Sequence, residues 1–162
     1  MTIKVDFDEL DTTNDGYGDT ILNGKLYSGV AYERFENGAA LRSVSGFRSG
    51  KLHGASREWY ASGRLKDETF YHMGAYHGPV RKWYPDGALQ EEGYWEQGIR
   101  IREKQWGTDG VLLKEMSIRP DSADYQALLE RRAAYKDVPV VDIDMQTLEF
   151  VERPAGWGSD AS

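Results

Sequence analysis

Residues 50–73, "GKLHGASREWYASGRLKDETFYHM", align without a gap on residues 74–97, "GAYHGPVRKWYPDGALQEEGYWEQ". Gly50, His53, Gly54, Arg57, Trp59, Tyr60, Gly63, Leu65 and Glu68 recur as Gly74, His77, Gly78, Arg81, Trp83, Tyr84, Gly87, Leu89 and Glu92. Self-similarity at one fixed spacing marks stacked supersecondary units. Each unit reads as a hairpin: a stretch ending in aromatics ("GPVRKWY"), a turn, then a second stretch ending in an aromatic ("ALQEEGYW"). The turns are Tyr-Ala-Ser-Gly and Tyr-Pro-Asp-Gly, where Pro85 presets φ and the closing glycine supplies a positive one.

Weaker copies flank this pair. Residues 24–49 keep Gly24, Gly29, Phe35, Gly38, Leu41 and Phe47. Residues 98–118 keep Gly98, Trp106, Gly110, Leu112 and Glu115, with Arg102 where the second glycine belongs. Atypical end copies are expected where they cap a stack. A helical reading of this region fails, because interior glycines cost about 1 kcal/mol each in a helix. The expected fold is mainly β: tandem β-hairpin repeats of period about 24 form an elongated antiparallel sheet, with one C-terminal α-helix.

Strand alternation sorts side chains onto two faces. Tyr60, Leu65 and Tyr71 are taken as the core face, and Arg57, Trp59, Glu68 and Phe70 as a mixed outer face. Trp59 and Trp83 are equally good core residues, so the opposite assignment stays open.

The chain of 162 residues is expected to be a single domain. It divides into an acidic N-terminal strand and turn (1–23), four hairpins (24–118), a helix-and-strand cap (119–152) and a frayed tail (153–162). In "RPDSADYQALLERRAAYKD" (119–137), Asp121 or Ser122 can cap a helix whose Tyr125, Leu128, Leu129 and Arg132 share one stripe. "VPVVDIDMQTLEFVERP" then alternates Val141, Ile143 and Met145 against Asp142 and Asp144, and "IKVDFDEL" alternates Val5 and Phe7 against acids. These two segments are expected to pair with the sheet or with each other.

Charge narrows the partners. The net −7 resolves into −5 for residues 1–23, +2 for 24–118 and −4 for 119–162. Two acidic flanks around a nearly neutral middle argue against direct nucleic-acid binding and against anionic lipid. A basic partner suits them, as does plain solubility. No apolar run is long enough for a transmembrane span, and the start, MTIKVDFDEL, is not expected to be a secretory signal. The absence of cysteine excludes disulfides and fits a cytoplasmic location.

Most patterns that could carry chemistry read as structural. His53 and His77 are repeated loop positions, read as structural. The nearest metal motif, "DTTNDGYGDTIL" (11–22), places Asp11, Thr13, Asp15 and Asp19 with calcium-loop spacing but ends in Leu22, where a glutamate is needed, so it reads as a turn. The pairs Asp6/Asp8 and Asp142/Asp144 would each share a strand side, an arrangement able to hold a metal or act as acid and base, or simply to face solvent. No cofactor or metal is implied, and a non-enzymatic role is expected.

With the repeat laid out, "GAYHGPVRKWYPDGALQEEGYWEQG" resembles the MORN-repeat variant. Chains built of such variants resemble a bacterial family of antitoxins and of immunity proteins against polymorphic toxins. The resemblance implies neutralisation of a cognate protein toxin by direct binding, the toxin being basic if the acidic surface meets it. The partner-binding candidates are Arg57, Trp59, Arg81, Trp83, Glu68 and Glu92 on the outer face, with Asp6, Asp8, Asp142 and Asp144 as a second set. The alternative is a MORN-like scaffold or membrane-associated interaction module. Self-association through open strand edges is a further expectation.

Overall fold

A computed structural model describes residues 1–159 except 15, 17, 37 and 136. Four short strands come first: β1 (Lys4–Asp6), β2 (Asp11–Thr12), β3 (Thr20–Leu22) and β4 (Lys25–Leu26). The repeats supply β5 (Gly29–Arg34), β6 (Leu41–Arg48), β7 (Lys51–Trp59), β8 (Leu65–His72), β9 (Ala75–Trp83), β10 (Leu89–Glu96), β11 (Ile99–Trp106) and β12 (Leu112–Ser117). Helix α1 (Ala123–Tyr135) and strands β13 (Val140–Ile143) and β14 (Phe150–Arg153) complete the chain. The strands β5 to β12 follow one another as an antiparallel meander, four hairpins in sequence order, and β1 adds in parallel beside β5. The expected mainly-β sheet of hairpins with one C-terminal helix is therefore the fold.

Two kinds of turn alternate along the sheet edges. The wide ones are those legible in sequence: the Gly63 and Gly87 N–H groups donate to the Tyr60 and Tyr84 carbonyls at 2.8 Å. The tight ones join successive hairpins through two residues each, with positive φ at both: Ser49-Gly50 (49° and 79°), Met73-Gly74 (49° and 87°) and Gln97-Gly98 (48° and 81°). This is the turn whose twist matches paired strands. Ser, Met and Gln do not advertise it, since a left-handed conformation costs a non-glycine residue about 1–2 kcal/mol. Part of that cost is offset locally. The Met73 and Gln97 N–H groups each donate to Nδ1 of a histidine, His53 and His77, at 3.4 Å. The two histidines thus lie inside strands β7 and β9, buried, and not in loops.

The repeated second glycines have a different function. Gly54 (φ 88°) and Gly78 (φ 124°) sit at sheet irregularities beneath the β13–β14 hairpin. A Cβ on Gly54 would meet Phe150 and Val141 at 3.2 and 3.3 Å, and one on Gly78 would meet Phe70 and Val140 at 3.0 Å. The glycine row is the bed on which the C-terminal hairpin lies. In the last copy Arg102 replaces the glycine, and its guanidinium donates to the carbonyls of Gly158 and Ser159 at 3.1 and 3.2 Å. The bed ends there, and the arginine ties down the chain end.

This arrangement reverses the face assignment. Val30, Val44, Ala55 and Phe70 from the sheet pack against Val140 and Ile143, with Tyr32, Trp59, Phe150 and Trp157 around them. The face carrying Arg57, Trp59, Glu68 and Phe70 is the covered one, because a separate two-stranded sheet lies on it. A smaller core forms on the opposite face, where Val5, Tyr27, Ala31 and Phe47 gather with Phe7, Leu10, Leu22 and Leu52 under the small β2–β3–β4 sheet.

Helix α1 carries the chain from the last strand back to the sheet centre. Its 13 residues span about 20 Å at about 1.5 Å per residue, close to four strand spacings of about 4.8 Å. Ser122 Oγ accepts from the Tyr125 N–H at 3.2 Å as its cap. Leu128 is buried, whereas Leu129 is 44% exposed and falls outside the buried stripe. Arg132 instead grips Glu96 with both ends of its fork at 2.7 and 2.6 Å. The segment after Arg153 is not frayed as far as residue 159: Trp157 meets Phe70 edge-on at 5.4 Å between ring centres, and Gly158 lies against Pro79.

Candidate protein-binding face

The opposite face of the hairpin sheet is left open beyond the small N-terminal core, and the repeat organises it into rows. Cross-strand pairing sets Ser45, Ser56, Thr69, Val80 and Gly93 side by side. Ser45, Thr69 and Gly93 occupy one position of the repeat, and Ser56 and Val80 another. These small side chains make a floor that crosses β6 to β10, about 19 Å at four spacings of about 4.8 Å. The Ser45 and Ser56 hydroxyls hydrogen-bond across it at 2.8 Å.

Taller rows border the floor. On one side stand Glu58, Asp67, Lys82, Glu91 and Gln105, each opposite the next. On the other are Phe47 and Leu52, then Tyr71 stacked on Tyr76 at 5.1 Å and Tyr76 against Trp95 at 5.9 Å. The result is a trough with one charged wall and one aromatic wall. At its β6–β7 end it deepens into a cleft of about 710 Å³, closed off by Phe7, Gly18, Asp19 and Thr20 of the N-terminal segment.

The charged wall is only partly neutralised. Lys66 Nζ reaches Glu58 at 2.7 Å, and Lys82 Nζ reaches Glu91 at 3.4 Å. Asp67 lies between them and accepts from the Thr69 hydroxyl at 3.1 Å. Burial, helped by Glu58 and Glu91, lifts its carboxyl above the ordinary value against the Thr69 bond and Lys82. A partly desolvated carboxylate of this kind gains from an added cation. Below the far end, the buried Glu103 carboxylate is bound by Arg100, Gln105 and Lys114. Burial opposes its ionisation, but Lys114 and Arg100 together hold its pKa below the ordinary value.

The residues singled out from sequence separate into three groups. Arg57, Glu68 and Asp142 meet on the covered face: Arg57 Nε binds Glu68 and Nη2 binds Asp142, both at 2.7 Å, while Nη1 donates to the Ile143 carbonyl at 3.2 Å. Burial disfavours the Arg57 charge, yet Glu68 and Asp142 outweigh that and raise its pKa. Their side chains are 10%, 12% and 7% exposed, so all three are enclosed. Trp59 packs on the covered core. Arg81, Trp83 and Glu92 are half-buried beside it, with Arg81 bridging Glu68 at 3.4 Å and Glu92 at 3.1 Å.

The aspartate pairs do not form. Asp6 ends β1 and caps a short 3-10 turn over Phe7–Glu9, accepting from the Asp8 N–H at 3.1 Å. The chain has left the strand before Asp8, so no alternation aligns the two. Asp144 lies past β13, exposed, and accepts from the N–H groups of Gln146 and Thr147 at 2.9 Å. Those bonds lower its pKa, with a smaller pull from Arg153, and it serves as a turn cap. In the calcium-like stretch, Asp11 and Thr12 pair with Thr20 and Ile21, and Asp19 binds Lys51 at 2.7 Å. Asp15 lies outside the described residues. Among the described residues no group of three or more potential ligands could hold a metal ion, and no helix is long and apolar enough to cross a membrane.

Comparison with family models, curated proteins and solved structures finds no match for this chain. The trough residues Glu58, Asp67, Tyr71, Tyr76 and Trp95 were not selected as binding candidates from sequence. Their signal was present as small residues repeating at positions 45, 69 and 93, but its meaning depended on which face the C-terminal hairpin covers.

Proposed function

We propose that this chain is a non-enzymatic antitoxin or immunity protein that neutralises a basic cognate protein toxin in the cytoplasm by direct binding through the open trough. The observation that supports this most is Asp67, a desolvated carboxylate between Glu58 and Glu91 on a wall facing a row of aromatics. Aromatic anchors beside a partly desolvated acid suit a lysine or arginine presented on a folded surface. The acidic N-terminal segment closing the cleft extends the same preference. The resemblance of the repeats to MORN variants supports neutralisation as the biological role.

The test is co-expression with the toxin encoded by the neighbouring gene. Growth rescue and co-elution of the pair are expected. Asp67→Lys with Tyr76→Ala weakens the complex about tenfold or more, whereas Trp83→Ala on the other face leaves it intact. Growth arrest that persists beside the wild-type chain, with no co-elution, rejects the proposal.

A further inference from the structure

We infer that the cleft at the β6–β7 end of the trough is an anchoring site for one tyrosine side chain of the protein partner. The cleft holds about 710 Å³, within the range of sites that enclose a ligand group. Its walls are apolar, with Phe7, Phe47, Leu52 and Met73 among the residues that line it. Its bottom is polar, because the floor residues there are Ser45 and Ser56, paired across β6 and β7. A side chain that fits has an apolar body and a polar tip.

The two hydroxyls define that tip. Ser45 Oγ and Ser56 Oγ lie 2.8 Å apart, and neither makes another side-chain hydrogen bond among the described residues. A pair of hydroxyls uses only one of its two O–H groups internally. The second O–H and the remaining lone pairs are left for a group that enters the cleft. A phenol hydroxyl serves both, since it accepts one hydrogen bond and donates another, whereas an indole N–H only donates and a phenyl ring does neither. A lysine or arginine finds no unmatched acid here, because Asp19 at the cleft is already held by Lys51 at 2.7 Å.

The repeat shows that this polarity is particular to the cleft. One period on, Ser56 becomes Val80, and Ser45 becomes Thr69, whose hydroxyl is used on Asp67 at 3.1 Å. Along the wall the change runs the other way, since Phe47 and Leu52 stand where the next copy has Tyr71 and Tyr76. Hydroxyls have moved from wall to floor at this end alone. Two residues along the strand and one strand across separate Ser56 from Asp67. That is about 8 Å, at about 3.4 Å per residue and about 4.8 Å per strand. One folded surface can present a tyrosine to the cleft and a cation to Asp67 together, and the assignment rests on the trough being the toxin-binding face.

The test is a titration of the isotope-labelled full chain with N-acetyl-L-tyrosinamide and, separately, with N-acetyl-L-phenylalaninamide, followed through backbone amide shifts. Saturable shifts at Ser45, Phe47 and Ser56 are expected at millimolar concentration. The tyrosine compound should bind about fivefold tighter, the gain from one hydrogen bond. Ser45→Ala with Ser56→Val is expected to keep the circular dichroism and the shifts but to abolish the preference. In the complex with the toxin, the tyrosine compound should no longer shift these amides. No saturable shift in the free chain, equal affinity for the two compounds, or a preference that survives the double substitution overturns the site. A cleft that still binds the compound in the complex overturns its assignment to the partner. Lack of any complex with the toxin rejects the proposed function, and the free-chain titration still decides the site.

Discussion

The two faces of the hairpin sheet are built from the same repeat yet have opposite fates. On one face the charged positions, Arg57 and Glu68, are enclosed with Asp142 under the C-terminal hairpin, and every one of their charges is matched. On the other face the charged positions Glu58, Asp67 and Glu91 line an open trough, and Asp67 is left incompletely matched. A short hairpin outside the repeats, Val140 to Arg153, makes the difference. Burial turns a repeated ion pair into a structural element on one side, and exposure leaves its counterpart available to a partner on the other.

Asp142→Ala should break this contrast most strongly. It strips Arg57 of one partner inside the covered face, and loss of one member of a buried pair costs about 3–5 kcal/mol. Asp67→Ala on the open face should change stability by no more than about 0.5 kcal/mol. Urea unfolding of the two variants measures both, and equal losses would show that the faces are not energetically distinct. Gly78→Ala sharpens the same comparison. At Gly63 nothing lies within 4 Å of an added Cβ, so alanine there costs backbone strain alone, about 1–2 kcal/mol. At Gly78 the clash with Phe70 and Val140 comes in addition, raising the loss by about 1–3 kcal/mol.

Acid provides a third probe, because His53, His72 and His77 stand in line on the covered face, with ring centres 5.3 and 5.9 Å apart. Burial, with Arg48, His72 and His77 adding to it, lowers the His53 pKa to about 4. Burial also lowers His77, against the pull of the Val138 carbonyl and Glu96. The unfolded chain therefore takes up protons first. The contribution of these groups to stability is complete above pH 6.5, falls as pH drops below it, and for His53 levels off below about 4. Glu149, held at about 2 by the Thr2 hydroxyl and Lys4, loses its contribution in a lower window, from 4.5 down to about 2. Unfolding free energy measured against pH should slope through the upper window in the wild type and flatten there in His53→Asn/His77→Asn. A small loss is also expected in Tyr84→Phe. It removes a hydroxyl that donates to the Trp106 carbonyl at 2.9 Å between neighbouring hairpins, about 1 kcal/mol in thermal unfolding.

Much of the fold was legible because its signals are local. Turn glycines at 63, 87 and 110, the Trp–Leu pairs that close those same turns, and the Ser122 cap require only neighbours in sequence. The two-residue turns were not legible, since Met73 and Gln97 adopt positive φ with support from histidines 20 residues away. The covered face differs from the expected core face for a related reason. Phe70 and Tyr71 are equally apolar to a reader of sequence, and only contact with Trp157, Val140 and Ile143 makes Phe70 the core residue. Asp142 and Asp144 look like a pair, but one faces Arg57 across 85 residues of chain and the other closes a turn with its immediate neighbours.

The sequence by itself determined the hairpin, its period of 24 and the order of strands, because φ preferences and alternation act over a few residues and the repeat copies them along the chain. Tertiary structure decided which face is buried. That choice depends on where a helix of 13 residues returns the chain and on a glycine bed flat enough to receive β13. Desolvation under that hairpin is what separates Arg57, sealed in its ion pairs, from Asp67, still open to a partner.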